Sequence, residues 1–145
     1  MSDEIKIVGI ENLISKFDDL ADDEIIDKAV AKTASYIQAN AKLLAPVDTG
    51  DLRNSIKTSE VIDHTAEVFT NCDHAVFNEY GTGTQGDPVV SHTTKESWTY
   101  MGTDGNFHTS HGMKPRPYMR PAAQAGREEV ESIFMNTLKE KINNA

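Results

Sequence analysis

The sequence predicts a single α+β domain, in which a small antiparallel β-meander packs against a long helix and a C-terminal helix. Three observations lead to this prediction. Apolar residues recur at helical spacing before residue 45 and after residue 121. Between residues 52 and 80 the chain is rich in Ile, Val, Thr and Phe that alternate imperfectly with polar residues. The 145 residues, 38% of them hydrophobic and 26% charged, suffice for one core and not for two. We therefore expect residues 1–145 to form one domain.

Two helices are predicted before the meander. Apolar side chains at helical spacing indicate a short helix over residues 10–20. A longer helix is expected over residues 24–44, with Asp22 and Asp23 supplying its N-cap and an acidic first turn, and with Pro46 beyond its end. This helix has many alanines, whose small side chains permit another helix or a sheet to pack close to its backbone. Its larger residues share one face, and they are Ile26, Val30, Thr33, Ile37 and Leu44.

The middle of the chain is predicted to form three half-buried antiparallel strands. These strands are expected over residues 52–62, 65–72 and 75–80. The dipeptides Asp63-His64 and Asp73-His74 fall where the chain needs turns.

A protruding arm and a last helix complete the predicted fold. From residue 84 to 113 the composition shifts to Gly, Thr, Ser, His and Pro, which is typical of an exposed segment. Within this arm, Asp104-Gly105 lies between aromatic residues and predicts a two-residue hairpin turn. Pro121 is expected to be the first residue of the C-terminal helix.

Charge and cysteine content exclude several classes of function. The chain has 14 basic and 23 acidic residues, for a net charge of −9, and the acids concentrate in residues 1–31. Such a chain repels phosphate, so we expect no sequence-specific DNA binding and interpret the acidic third as a solvated surface. A single cysteine, Cys72, excludes a disulfide framework and a multi-cysteine zinc site. We expect neither a signal peptide nor a membrane span.

Two motifs suggest chemistry and are better interpreted as turns. Residues 81–86, GTGTQG, have the spacing of a dinucleotide-binding loop, but Pro88 and a β-branched run follow where a helix must begin. We interpret these glycines as a corner at which the chain leaves a sheet edge and enters the arm. Asp48-Thr49-Gly50 matches the aspartic-protease tripeptide, yet a helix precedes it where those enzymes have a strand. A homodimeric protease that uses Asp48 is therefore a remote alternative. The five histidines have no spacing typical of a metal site, and we expect no metal or cofactor.

Three segments of the chain resemble one family. Residues 45–56, APVDTGDLRNSI, resemble the "aPvdTGnLrnSi" signature of a phage neck and tail-component family. Residues 75–82, AVFNEYGT, resemble its second block, an aromatic-rich strand that ends in Glu-aromatic-Gly-Thr. Residues 116–122, RPYMRPA, resemble its third block, an "arPFlrPA" turn that opens the last helix, with Tyr118 in place of the usual phenylalanine. Members of this family are encoded between the head-completion and tail-tube genes of long-tailed bacteriophages and are related in role to the minor tail protein Z of lambda. The arm is long for the family.

The resemblance implies a non-enzymatic virion protein of the head–tail connection, or neck. Such a protein completes the tail or joins it to the capsid connector, and it usually acts as a homo-oligomeric ring around the DNA passage. The implied partners are the phage head-completion, connector and tail proteins, met in the host cytoplasm during assembly and then in the virion. Acidic surfaces would flank the passage so that DNA slides past them. One alternative, also a structural virion protein, is a tail-terminator ring that caps the tail tube. A second alternative, from a different class, is a monomeric host-derived binding module.

The resemblance gives no catalytic residues, so the three blocks are interpreted mechanically. Residues 48–50 are expected to form a rigid turn between the long helix and the meander. Arg53 and Glu79 are expected to form a cross-strand or inter-subunit ion pair, and Tyr118 and Met119 to contact a neighbouring subunit. The candidate structural and interface residues are Asp48, Thr49, Gly50, Leu52, Arg53, Glu79, Tyr80, Gly81, Thr82, Arg116, Pro117, Tyr118 and Arg120.

Overall fold

The computed structural model describes residues 22–47 and 50–144, and the predicted helix over residues 10–20 lies outside them. The described residues form an α+β fold, as predicted. In chain order the elements are α1 (Asp23–Leu44), α2 (Asp51–Ser55), β1 (Lys57–Thr58), β2 (Val68–Phe69), α3 (Ala75–Tyr80), a 3₁₀ turn (Gly83–Gln85), β3 (Trp98–Met101), β4 (Phe107–Ser110) and α4 (Met119–Asn143).

The two long helices, α1 and α4, pack against each other in antiparallel directions. Asp22 at the start of α1 accepts a hydrogen bond from the amide of Ile25 (3.0 Å) and pairs with Lys141 near the end of α4, which confirms the predicted N-cap. Farther along, Gly126 lies so close to Ile37 that a Cβ atom on the glycine would be 2.3 Å from Ile37 Cγ1. Small residues allow this approach, and those of the two helices that are buried are Ala29, Ala34, Ala41, Ala122 and Gly126.

The larger apolar residues of α1 are less covered than the sequence predicts. Val30, Thr33 and Ile37 are half-buried, and Leu44 is exposed. Ile37 packs directly onto Gly126, whereas Val30 and Thr33 lie half-buried in an open groove between α1 and α4.

The first predicted strand begins instead as a short helix. Gly50, with φ of +84°, takes the left-handed conformation and precedes α2. Leu52 and Ile56 are four residues apart, and the helical turn brings both side chains into the core. The pairing of Lys57 with Phe69 and of Thr58 with Val68 then confirms an antiparallel hairpin, although each strand has only two residues.

The turn of this hairpin lies where the sequence predicts it. Asp63 (φ +50°) and His64 (φ +60°) both have positive φ, and the bridge between Ile62 and Thr65 brackets them. This is the conformation that matches the twist of a two-residue hairpin.

The predicted strand over residues 75–80 is wrong, because this segment is α3. In a strand, Phe77 would share the buried face of Ala75 and Glu79, but it is exposed, whereas residues four apart share a face in a helix. The described residues therefore contain two separate two-stranded sheets rather than a three-stranded meander. The glycine corner at residue 81 consequently ends a helix and not a sheet edge.

The arm is a hairpin, as predicted, with a different turn. β3 and β4 pair antiparallel, from Trp98 opposite Ser110 to Met101 opposite Phe107. The connection is a three-residue loop over 103–105, closed by a hydrogen bond from the amide of Gly102 to the carbonyl of Asn106 (2.8 Å). Gly105 has φ of +76°, as three-residue hairpin loops with a left-handed residue require. The last helix begins at Met119, two residues before the predicted Pro121.

Candidate functional site

The carboxylate of Glu79 caps the N-terminus of α4 from across the fold. Glu79 is 4% exposed. Its Oε2 accepts hydrogen bonds from the amides of Tyr118 (2.8 Å) and Met119 (2.9 Å), and its Oε1 accepts one from the amide of Arg120 (3.0 Å). No side chain at the start of α4 caps this helix, so a residue about 40 positions earlier supplies the cap. A carboxylate there also complements the positive end of the helix dipole.

Arg120 extends this cap to one further segment, the first residues of the arm. Its Nε donates to Glu79 Oε1 (2.9 Å), its Nη2 to the backbone oxygen of Glu79 (3.0 Å) and its Nη1 to Asp87 Oδ2 (2.9 Å). The guanidinium carbon lies 4.5 Å from the centre of the Tyr80 ring, within cation–π range. We call Glu79, Tyr80, Asp87, Arg120 and the amides of residues 118–120 the Glu79 clamp. The clamp ties α3, the first residues of the arm and the start of α4 into one unit.

The clamp holds its groups in their charged forms. Burial alone would raise the pKa of Glu79, but the three backbone amides and Arg120 together outweigh it and lower that pKa below the usual value. Asp87 and then Glu79 raise the pKa of Arg120. The amide of Val89 and then Arg120 lower the pKa of Asp87. Four N–H donors bind the two oxygens of Glu79. This carboxylate therefore has a structural role, linking α3 to the start of α4, rather than the role of an acid or base.

Tyr118 is part of the core and not of the surface. Its ring is 1% exposed, and its Oη donates to the carbonyl of Ala75 (3.3 Å). Burial and then the charge of Glu79 raise the pKa of Tyr118 to about 12. The expectation that Tyr118 contacts a neighbouring subunit is therefore wrong, since the aromatic ring anchors α4 within its own chain. Met119 is half-buried against this core.

Gly81 and Thr82 close the base of the arm. Gly81 has φ of +71° and ψ of −174°, and a Cβ atom on it would be 2.4 Å from the carbonyl oxygen of Met113. Thr82 and Met113 exchange two backbone hydrogen bonds, of 2.8 and 3.1 Å. Beyond them, the amide of Arg116 donates to the carbonyl of Asn78 (2.7 Å). Thr82 and Met113 thus bracket the predicted arm of residues 84–113.

The first sequence block is separate from the clamp. Asp48 and Thr49 lie outside the described residues, while Leu52 is a core residue. The half-buried Arg53 has a buried Nε atom without a hydrogen-bond partner among the described residues. The expected ion pair between Arg53 and Glu79 is wrong within the chain, because Glu79 lies in a helix whose buried face turns it toward Arg120.

All three sequence blocks nevertheless meet around one open groove of about 950 Å³. We call it the docking groove. Its wall combines apolar side chains from the end of α1 with polar side chains from α3 and from the segment before α4. The residues that line it include Leu44, Val47, Leu52, Asn78, Thr103, Arg116 and Pro117. Thr103, at the tip of the arm, places the hairpin over one side of this groove.

Sequence reasoning missed three parts of the site, namely Asp87, Asn78 and Met113. Asp87 carries a local signal, because an Asp before proline favours a turn, and its Oδ1 accepts the amide of Val89 (3.0 Å). Asn78 and Met113 close the base of the arm through backbone groups, so no side-chain pattern could indicate that closure.

The described residues offer neither a metal site nor a membrane-spanning helix. No cluster of three or more His, Cys, Asp or Glu side chains in residues 22–47 and 50–144 could hold a metal ion. None of the helices described combines the length and hydropathy that crossing a membrane needs. The tripeptide at residues 48–50 follows a 22-residue helix, and nothing described supports the protease alternative.

Comparison with known proteins gives one result. Residues 10–81, about half of the chain, match a family model described as "Bacteriophage HK97-gp10, putative tail-component". This region contains the first sequence block and all but the last residue of the second, together with α1, α2, the β1–β2 hairpin and α3. Neither the curated proteins nor the solved structures gave a match. The chain therefore belongs to the HK97-gp10-like family of bacteriophage tail components.

Proposed function

We propose that this protein is a structural component of the phage head–tail connection, which completes the tail or joins it to the capsid connector. It acts without catalysis, as a homo-oligomeric ring of single-domain subunits around the DNA passage in the virion. The observation that carries the proposal is the convergence of the three family-like blocks on one open groove beside a rigid clamp. The buried polar groups of the Glu79 clamp fix the shape of this part of the fold. The exposed surface of the docking groove beside them is available to bind partner proteins.

The arm supplies a second docking element. Met101 and Phe107 are directly opposite each other in the hairpin, so their side chains share a face, and they are 63% and 73% exposed. A paired Met and aromatic residue on an exposed face is typical of an interface. We infer that this face of the arm contacts an adjacent subunit or another neck protein.

The acidic surface has a narrower role than the sequence predicts. Within the described part of the acidic third, Asp22 pairs with Lys141 and Asp27 with His64, so these carboxylates hold the fold together. The other acids of the first turn of α1 are Asp23, which lies 3.5 Å from His64 Nε2 but has a nearly fully exposed side chain, and Glu24. We propose that such exposed acids face the DNA passage, where weak repulsion lets the duplex slide.

Complementation of a phage that lacks this gene tests the proposal. Plasmid-borne wild-type protein should restore joined, filled particles, whereas Met101→Ser with Phe107→Ser should reduce their number at least tenfold, counted by electron microscopy. Val89→Ser, at another exposed apolar position of the arm, is the matched control and should restore them. Normal yields with the double variant, or with residues 84–113 deleted, would exclude the arm as a joint. Tails of abnormal length in place of unjoined heads would support the tail-terminator alternative.

A further inference from the structure

The docking groove carries an unpaired guanidinium on a rigid stretch of backbone. Arg116 is exposed, and its side chain makes no hydrogen bond or ion pair with the described residues. Its amide is held by the carbonyl of Asn78 (2.7 Å), and a proline on each side restricts the backbone further. Asp51, the acid among the lining residues, is engaged within its own chain. Beside Arg116, Leu44 and Val47 are 50% and 60% exposed, so the groove offers a positive charge next to an apolar surface.

The face of α4 that points away from α1 carries complementary groups. Its members are three, four or seven residues apart and so share one side of the helix, about half a turn from the buried residues Ala122, Gly126 and Thr137. We call this face the outer stripe, and it consists of Gln124, Glu128, Glu131, Met135 and Ile142. All five side chains are exposed, the last two by 46% and 53%. The stripe therefore combines two carboxylates with two exposed apolar side chains.

The two carboxylates of the outer stripe are available for an outside partner. Within residues 22–47 and 50–144, Glu131 has no side-chain partner, and Glu128 accepts a single hydrogen bond, from Gln124 of the same stripe (3.2 Å). An exposed pair between residues four apart in a helix contributes only a few tenths of a kcal/mol. Little is lost when a stronger partner replaces it.

The groove and the stripe fit each other in charge and in polarity. Subunits of a ring repeat one contact between two different surfaces, because each subunit meets a neighbour on either side. On the basis of the proposed function, in which the subunits form such a ring, we propose that the outer stripe of one subunit lies in the docking groove of the next. Its carboxylates face Arg116, and Met135 packs against the apolar side chains of the groove. A helix laid into an apolar groove is a recurring mode of protein recognition.

The two surfaces lie at different places on the subunit. α4 begins beside the docking groove, and Met135 is 16 residues beyond the first residue of this helix, a rise of about 24 Å. One chain therefore cannot place its own outer stripe in its own groove. The contact joins different surfaces of successive copies, and contacts of this type close into a ring when the rotation between copies allows it.

The net charge of the chain makes such a pairing necessary. At −9, two copies repel each other, so a stable contact between them has to bring unlike charges together. Arg116 and the nearby exposed Lys114 supply positive charge at the groove, while Glu128 and Glu131 supply negative charge on α4. The described surface of the chain thus offers both halves of the contact.

Charge reversal in the purified full-length chain tests the pairing. In sedimentation velocity at low salt, Arg116→Glu should weaken self-association at least tenfold, and Glu128→Arg with Glu131→Arg should do the same. An equimolar mixture of these two variants should associate again, because each supplies the charge that the other requires. Glu60→Arg with Glu129→Arg, at exposed positions outside the stripe, changes the net charge equally and should not weaken association. Circular dichroism confirms that each variant is folded.

Disulfide trapping tests the apolar half of the contact. In a Cys72→Ala background, Val47→Cys with Met135→Cys should link successive copies into a ladder of oligomers on a non-reducing gel. Val47→Cys with Glu129→Cys, which places the second thiol on another side of α4, is the matched control and should link at least tenfold more slowly. Equal trapping of the two pairs would overturn the proposed register of the stripe in the groove.

These measurements use no other phage protein, so they are independent of the complementation assay. A wild-type chain that stays monomeric at millimolar concentration, or a variant mixture that does not associate, would overturn the proposal and favour an acidic segment of another protein as the occupant of the groove. If that same wild-type chain restores joined particles, the proposed role in the head–tail connection stands without this contact. Association without restored particles would support the contact and contradict the role.

Discussion

Replacing Glu79 by glutamine should remove a large part of the stability of the fold. The carboxylate accepts four hydrogen bonds, two at each oxygen. A glutamine keeps one acceptor oxygen and directs its NH₂ group at two N–H donors, so two bonds are lost and the remaining two lose their charge. Breaking a buried ion pair from one side costs about 3–5 kcal/mol. Arg120 is partly exposed, so water can solvate its guanidinium in part after the substitution. We therefore expect the free energy of unfolding to fall by about 3 kcal/mol, at the lower end of this range.

Urea unfolding followed by circular dichroism measures this loss. The midpoint should fall while the slope with denaturant stays constant, because the surface exposed on unfolding is unchanged. Glu129→Gln, at an exposed position in α4, is the control and should change the free energy of unfolding by less than about 0.5 kcal/mol. A loss below about 1 kcal/mol for Glu79→Gln would refute the clamp as a main support of the fold.

The pH dependence of stability provides an independent check on the same residue. The pKa of Glu79 is lowered in the folded state, so the unfolded chain binds its proton more readily. Its contribution is therefore complete above the unfolded pKa of 4.5 and is lost as the pH falls through the lower, folded pKa. Glu79→Gln should flatten this decline of stability in acid. An identical acid slope in the variant would contradict the assignment.

Three further changes test other parts of the fold. Gly81→Ala should cost at least about 2 kcal/mol, because it combines a backbone region nearly reserved for glycine with a collision, whereas Gly105→Ala, with open space around it, should cost about 1 kcal/mol. Gly126→Leu should lower the free energy of unfolding by about 1–3 kcal/mol through overpacking of the α1–α4 contact, measured by urea unfolding. By NMR titration, the pKa of His64 should lie above 6.5, since the hydrogen bond to Asp27 raises that pKa. Asp27→Asn should move the pKa of His64 back toward 6.5. The contribution of the His64–Asp27 pair to stability is present below pH 6.5 and is lost as the pH rises through the folded pKa.

Local signals in the sequence were sufficient for several elements. The long helix begins and ends within one residue of its predicted bounds, because Asp22 and Pro46 act through neighbouring backbone groups. The turn at Asp63 and His64 and the hairpin of the arm depend likewise on nearby residues. Such features need no knowledge of the rest of the fold.

Elements that depend on tertiary contacts were harder to predict. Six residues, 75–80, contain too few apolar positions to separate a strand from a helix, and packing of Ala75 and Glu79 into the core decides for the helix. In the candidate site, both Glu79 and Arg120 were predicted from the sequence blocks, but the predicted ion pair joined Glu79 to Arg53. The true partner is 41 positions away, and no spacing rule reaches that far.

The backbone bridge between Thr82 and Met113 has a consequence for how the arm can diversify. It fixes the entry and exit of residues 84–113 beside each other, so the length of chain between Asp87, which is held by Arg120, and Met113 can change without moving the rest of the domain. For a segment anchored in this way, doubling its length costs only about 0.6 kcal/mol. Related phages could therefore lengthen, shorten or exchange the part of this insertion beyond Asp87 to suit a new neighbour while the fold that carries it stays the same.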